Sequence, residues 1–299
     1  MVKLLATAQK AASRGLQIVA RVTSMERAIL SWRLRRAFDK HLVFCLTNGR
    51  SGSGTLARLF KCIHSVEARH EPHPKFSGIM RQVQTSPDLA RSFLLDQKLP
   101  AIGQSDKHVY VETSHLFAKG FFDPLLATGI RPSFVVLRRE TRSIALSMLS
   151  LGTIPGRTEK GMKWYLAPSD CVLVQLPNWR NLTDYQLCYW HALETEARQR
   201  AYADQARQAE LTVVEITVDE LGKKGEFERL CSSLSIECNP EDLARVEVIR
   251  GEARNRKVHK KSYCYRPAHP ATEEAEVRIL VAGPSKKYEG DFHRRDLGG

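Results

Sequence analysis

Residues 47–58 read Thr-Asn-Gly-Arg-Ser-Gly-Ser-Gly-Thr-Leu-Ala-Arg and follow the apolar run Leu42-Val43-Phe44-Cys45-Leu46. A strand that empties into a glycine-rich loop and then a helix is a ready phosphate cradle. Backbone N–H groups at the helix start point at the anion, and the helix dipole favours it. Three loop chemistries fit these residues. Gly49 to Gly54 has the spacing of the nucleoside-triphosphate loop G-x-x-x-x-G-K-[ST], but the next residue is Thr55. The lysine that reaches the terminal phosphates is therefore missing. Gly52-Ser53-Gly54-Thr55-Leu56-Ala57 matches the dinucleotide pattern G-x-G-x-x-[GA]. That pattern also asks for an acid at the end of the second strand, where Glu71 is only loosely in place. In the third reading, Arg50-Ser51-Gly52-Ser53 supplies a guanidinium, two hydroxyls and several N–H groups. Such a set binds a 5′-phosphate joined to another anionic group and needs no metal.

On this loop the chain resembles the sulfotransferase family, whose members transfer sulfuryl from 3′-phosphoadenosine 5′-phosphosulfate (PAPS). The family loop has Lys or Arg followed by Ser/Thr-Gly-Thr-Thr; Arg50-Ser51-Gly52-Ser53 fits, while Gly54 replaces the second threonine and Thr55 follows. A second stretch strengthens the resemblance: Phe134-Val135-Val136-Leu137-Arg138-Arg139-Glu140-Thr141-Arg142-Ser143-Ile144-Ala145-Leu146-Ser147. The family's 3′-phosphate motif is a strand ending in Arg, seven residues, then Ser on the next helix. Arg139 and Ser147 have that spacing, with Arg142 where many members carry a basic residue. A guanidinium at a strand end and a hydroxyl about two turns along a helix can converge on one phosphate. Positive charge at a helix N-terminus is otherwise dipole-unfavourable, so Arg138, Arg139 and Arg142 form either a solvated helix start or an anion site. A third fragment, Val213 to Leu221, is similar to the family's late strand and following E-D-L segment. The resemblance spans about residues 41–236 and implies a P-loop-like sulfotransferase architecture with PAPS as co-substrate and no metal.

Sulfuryl transfer needs a base beside the attacking atom and positive charge on the leaving phosphate oxygens. Arg50 is the expected cation at the departing 5′-phosphate. Two residues compete for the base. Glu71, in Arg69-His70-Glu71-Pro72-His73, resembles the catalytic glutamate of carbohydrate- and protein-directed sulfotransferases. His115, in Thr113-Ser114-His115-Leu116, resembles the Thr-His-Leu segment of the small-molecule cytosolic enzymes. The same stretch is similar to the Glu-Lys-Ser/Thr-Pro segment of heparan sulfotransferases, with Thr113 in place of the lysine. A histidine titrates near neutrality unaided, whereas a glutamate must be raised by burial or a neighbour. Glu71 leads narrowly, because its polar, proline-bound surroundings are unlike core.

For the acceptor, Trp164, Trp179 and Trp190 fall close to Tyr165, Tyr185 and Tyr189. They suit a ring, a sugar face or a flat cation, or else pack the core. Asp170 and Glu194 are candidate partners for a cationic acceptor. A small-molecule, glycan or lipid acceptor is expected, with a hydroxyl or amine as the attacking group.

The elements that must position these residues alternate as strand and helix. Strands are expected at 42–47, 65–69, 109–111, 133–137 and 211–218. Helices are expected near 53–63, 86–98 and 225–235, from about 140 onward, and over a long stretch from 184 to 209. This predicts an α/β fold with a central parallel β-sheet flanked by helices. An N-terminal basic amphipathic helical arm (1–40) precedes the α/β domain (41–250), and a basic, irregular lid or tail (251–299) follows. In the tail, residues 254–261 are suited to fold over a nucleotide.

The formal charge of +13 calls for a polyanionic partner without choosing one. Residues 1–40 carry nine Lys/Arg against two acids, suited to packing on the domain or to peripheral contact with an anionic membrane surface. No zinc-finger spacing or RNA-binding aromatic signature supports nucleic acid. Seven cysteines without a C-x-x-C pair, and no secretory h-region, predict a reducing, cytoplasmic setting. Two readings compete with the sulfotransferase: a P-loop-type kinase that uses Mg-ATP, and a non-enzymatic basic protein that binds nucleic acid or anionic membranes.

Overall fold

The computed structural model describes residues 25, 27–251 and 267–282. Most of the basic arm, and the basic segment expected to fold over a nucleotide, lie outside the described residues. Five strands form one parallel sheet: β1 (His41–Thr47), β2 (Val66–Arg69), β3 (Val109–Glu112), β4 (Ser133–Arg138) and β5 (Val213–Thr217), in the order β2-β3-β1-β4-β5. Alternation along the central strand divides the core in two. Leu42, Phe44 and Leu46 pack on one face with Phe117, Phe134 and Trp190. Val43 and Cys45 pack on the other with Leu59, Phe60 and Phe227. Burial on both faces is why the strands read as near-continuous apolar runs.

The helices, in chain order, begin with α1 (27–38), α2 (Ser53–Phe60), α3 (Met80–Val83), α4 (Asp88–Phe93), α5 (Leu99–Ile102) and α6 (Phe122–Leu126). They continue with α7 (Thr141–Ser150), α8 (Glu159–Trp164), α9 (Asp184–Gln208), α10 (Val218–Leu221), α11 (Glu226–Ser233), α12 (Pro240–Gly251) and α13 (Pro270–Ala282). Between α4 and α5 a π turn, Leu94–Lys98, keeps the run helical and turns Lys98 inward. α9 starts on a capping box, in which the Thr183 hydroxyl accepts from the Gln186 N–H and the Gln186 side chain answers at Thr183. No helix among the described residues is long and apolar enough to cross a membrane.

Two differences from the sequence reading matter for the site. Residues 159–164, inside a segment read only as glycine- and proline-bearing, form α8. The region after 250, expected to be irregular, contains α13, which docks on α7 and α9. Arg142 grips Glu274 through two hydrogen bonds of 2.7 and 2.8 Å, and Tyr185 donates to the same carboxylate at 2.5 Å. These contacts join residues more than eighty positions apart, so local periodicity carried no trace of them.

β1 and β4 are neighbours, but their connections leave in opposite directions along the sheet. β1 leads through α2 toward β2, and β4 leads through α7 and α9 toward β5. Such a switch opens a crevice beyond the carboxyl ends of the two strands, the usual ligand position in an open parallel sheet. Arg50 follows β1 and Arg139 follows β4, so both stand at this crevice.

Candidate functional site

The loop after β1 is held by its own polar groups. The Thr47 and Ser51 hydroxyls lie 2.6 Å apart, Thr47 donates to the Leu137 carbonyl at 3.2 Å, and Ser51 donates to the Asn48 carbonyl. The Ser51 side chain is therefore buried and occupied within the loop. Arg50 (φ 74) and Gly52 (φ 85) are both left-handed, and Gly52 caps α2. Glycine adopts that region freely, whereas arginine there carries strain that the surroundings must hold. No side chain caps α2 and its first turn holds no acid, so the start of the helix presents N–H groups and a positive dipole end.

Three residues expected to touch phosphate converge here. The Arg50 Nε donates to the Ser147 hydroxyl on α7 at 2.9 Å, and an Arg139 Nη1 donates to the Arg50 carbonyl at 2.7 Å. The three arginines at the start of α7 have separate fates. Arg138 pairs with Glu215 at 2.9 Å and Arg142 with Glu274 at 2.7 Å. Arg139 and Arg50 have no carboxylate in ion-pair contact among the described residues. The dipole conflict that the sequence raised over three arginines is thus confined to Arg139, and Arg142 belongs to the docking of α13. Beside Arg139, between α7 and α9, lies a cavity of about 280 Å³ bordered by Asn48, Glu140, Thr141 and Gln199.

The two rival bases are adjacent. β2 and β3 are paired with Arg69 opposite Glu112, and the Thr113 N–H extends the ladder to the Arg69 carbonyl at 3.0 Å. Residues just past both strands therefore meet: His115 Nε2 lies 3.3 Å from Glu71 Oε1. Glu71 is the more open of the two, its side chain 22% exposed against 9% for His115, and it sits on a left-handed backbone (φ 48). Behind the imidazole, Lys119 Nζ stands 3.1 Å from His115 Nδ1 and donates to the Trp164 carbonyl at 2.7 Å. Burial pushes His115 well below the ordinary histidine pKa, helped by the positive charges of Lys119, His70 and Arg50. Burial lowers Lys119 strongly as well, against the pull of Glu71.

Close packing joins this group to the loop. A Cβ on Gly49 would lie 2.9 Å from the Tyr165 ring and 3.4 Å from His115 Nδ1, so only glycine admits both neighbours. The end of β3 is anchored from below by a buried ion pair, Lys98 to Glu112 at 2.9 Å, to which the Tyr110 hydroxyl adds a hydrogen bond of 3.0 Å.

The aromatic residues expected around an acceptor divide. Tyr185, Tyr189 and Trp190 are core; Trp164 and Tyr165, the latter also buried, flank His115 at ring-centroid distances of 6.0 and 5.7 Å. Asp170 and Glu194 are not free for a cationic acceptor. Arg81 holds Asp170 at 2.5 Å, and Glu194 is fully buried against Arg198 and the Leu173 and Val174 N–H groups.

Sequence reasoning missed three residues at the site. Tyr165 was read only as acceptor lining. His70 bonds the Thr113 carbonyl through Nδ1 at 2.7 Å, which turns Nε2 toward the first turn of α2 near Gly54. Lys119 gave one faint signal, its position four residues after His115. Among the described residues no group of His, Cys, Asp and Glu side chains is arranged to hold a metal ion.

No family model and no curated protein matches the chain. Among solved structures it is similar to the sulfotransferase domain from the curacin biosynthetic pathway, at 16% identity over 69% of this chain and 77% of that one (TM-score 0.48). It is also similar to the sulfotransferase STF1 of Mycobacterium tuberculosis H37Rv, at 13% identity over 82% and 77% of the two chains (TM-score 0.44). A third is mouse sulfotransferase SULT7A1 complexed with PAP, at 13% identity over 83% and 86% (TM-score 0.44). These likenesses concern the course of the chain; residue roles rest on the geometry of the site.

Proposed function

We propose that the chain is a sulfotransferase that moves a sulfuryl group from PAPS to a hydroxyl or amine of a small-molecule, glycan or lipid acceptor. One observation carries the reading. Two arginines without carboxylate partners among the described residues, Arg50 and Arg139, and the Ser147 hydroxyl meet at the N-terminus of an uncapped helix, although they come from separate segments. A molecule with a 5′-phosphosulfate and a 3′-phosphate supplies an anion for each arginine. In this reading Arg50 and the N–H groups of Gly52, Ser53 and Gly54, with the Thr55 hydroxyl, hold the 5′ end. Arg139 and Ser147 hold the 3′-phosphate.

In the reaction the acceptor oxygen or nitrogen attacks sulfur as the sulfur–oxygen bond to the 5′-phosphate breaks. The sulfated acceptor and adenosine 3′,5′-bisphosphate result, and one proton is released. Glu71 takes that proton. It is the more open of the pair, while the His115 ring is held by Lys119 at Nδ1 and has its Nε2 turned to Glu71 itself. Arg50 meets the charge that develops on the leaving phosphate, where a fixed donor is most effective.

Calorimetric titration with adenosine 3′,5′-bisphosphate, beside ATP with and without Mg²⁺, tests the donor. Tight binding of the bisphosphate without metal is expected; preference for Mg-ATP would select the kinase reading instead. Once an acceptor is found, Glu71→Gln should abolish most turnover with bisphosphate affinity nearly unchanged. Full turnover in that variant would remove Glu71 from the base role.

A further inference from the structure

Lys119 is fully buried, and no carboxylate lies in ion-pair contact with it among the described residues. Lysine is almost never fully buried unpaired, because its charge loses water without compensation. The buried Lys98, by contrast, has Glu112. The contacts of Lys119 are few and directed: the Trp164 carbonyl at 2.7 Å, His115 Nδ1 at 3.1 Å, and the Tyr165 ring with its centroid 4.8 Å from Nζ.

One hydrogen bond, from Lys119, and one ion-pair contact, with Glu71, fix the favoured arrangement of the His115 ring. Nε2 faces a carboxylate oxygen of Glu71 at 3.3 Å. An ionised carboxylate only accepts, so the imidazole proton belongs on Nε2. Nδ1 of the neutral ring is then a lone pair and requires a donor. Lys119 is that donor whether its amine is charged or neutral, since either form keeps a hydrogen for Nδ1 after one is given to Trp164. With no donor behind it, the ring could exchange tautomers and set a bare Nε2 lone pair against the Glu71 carboxylate. Nearby positive groups, Arg50 on the β1 loop and His70 beside Glu71, further disfavour a second proton on the ring. On the α9 side, His191 packs against Tyr165 at 4.7 Å with neither ring nitrogen bonded to protein. It gives His115 no alternative partner.

We propose that Lys119 is a positioning residue: by donating to Nδ1 it locks His115 in the Nε2–H tautomer, and that N–H in turn orients the Glu71 carboxylate. The tautomer lock stands on the contacts alone. Its value to catalysis rests on the reading of Glu71 as the base of sulfuryl transfer.

The test is long-range ¹H–¹⁵N correlation NMR on histidine-labelled full-length protein near neutral pH, with His115 assigned by its disappearance in His115→Gln. Wild type is expected to show a protonated Nε2 and an unprotonated Nδ1. Lys119→Met should shift His115 toward a mixture of tautomers, and Lys119→Gln, whose amide can still donate, should return most of the Nε2–H form. A purely structural lysine would leave the tautomer unchanged in a folded Lys119→Met protein, which would overturn the proposal. If Lys119→Met does not fold, the wild-type spectrum still decides: an Nδ1–H or doubly protonated ring overturns the assignment. In turnover, Lys119→Met should lower kcat about 10- to 100-fold, the scale of a sub-ångström to one-ångström misplacement of a reacting group, with nucleotide KM nearly constant. Should wild type fail to bind the bisphosphate while the tautomer result holds, the donor reading fails alone. Should the bisphosphate bind while the tautomer ignores Lys119, this inference fails alone.

Discussion

Replacing Arg139 by alanine separates the proposed phosphate contact from the loop contact that the side chain makes in the structure. One guanidinium N–H is engaged with the Arg50 carbonyl at 2.7 Å, and among the described residues no carboxylate is in ion-pair contact with the group. A hydrogen bond to a charged group contributes about 1.5–3 kcal/mol when the partner site is desolvated. Arg139 is exposed in the free protein, so the lower half of that range applies, a loss of roughly 10- to 40-fold in affinity for adenosine 3′,5′-bisphosphate. Adenosine 5′-phosphate lacks the 3′ group and should lose less, about 2- to 5-fold, through loosening of the left-handed Arg50 alone. Arg139→Lys keeps a charge but not the planar fork, and should fall between wild type and alanine for the bisphosphate. Calorimetry with both nucleotides on all three proteins reads the ratio directly. Equal losses for the two nucleotides would mean that Arg139 acts only through the loop, and no loss for either would remove it from the nucleotide site.

Two further outcomes follow from the packing. Gly49→Ala forces a Cβ to 2.9 Å from a Tyr165 ring hemmed in by His115, Lys119 and His191, and should cost about 1–3 kcal/mol in urea unfolding. Gly54→Ala, whose Cβ would make only an ordinary 3.7 Å contact with His70, should lie within about 0.5 kcal/mol of wild type; equal destabilisation of the two would refute the packing argument. Stability should also fall as pH drops below 6.5, because burial holds His115 and His191 well below that value while the unfolded chain titrates there. With both folded pKa values depressed, the full stability is present above pH 6.5 and declines below it, by on the order of 1 kcal/mol per histidine at pH 5.5. Urea midpoints that stay flat from pH 7.5 to 5.5 would contradict the buried neutral state of the two rings.

The rivalry between Glu71 and His115 shows what the sequence could and could not convey. The strands were legible because burial on both faces leaves long apolar runs such as Phe134 to Leu137. The loop was legible because left-handed backbone demands glycine at position 52. The spacing of Arg139 and Ser147 was legible because a strand end and the next helix are local in the chain. None of these signals contains the register of β2 against β3. Glu71 and His115 are 44 positions apart in the sequence, and read along it they compete for one role. Only the pairing of Arg69 with Glu112 brings their segments together, and leaves the two side chains 3.3 Å apart. Lys119 had no motif to announce it, since a buried lysine acquires its meaning from the ring it touches. The same holds for Arg142, which the sequence grouped with Arg139 but which long-range packing against Glu274 assigns to the docking of α13. The chain thus wrote the geometry of its loop and of Arg139 and Ser147 in local spacing, and the meeting of Glu71 with His115 in register and burial. That difference in range is why the first could be read along the sequence while the second left two separate candidates.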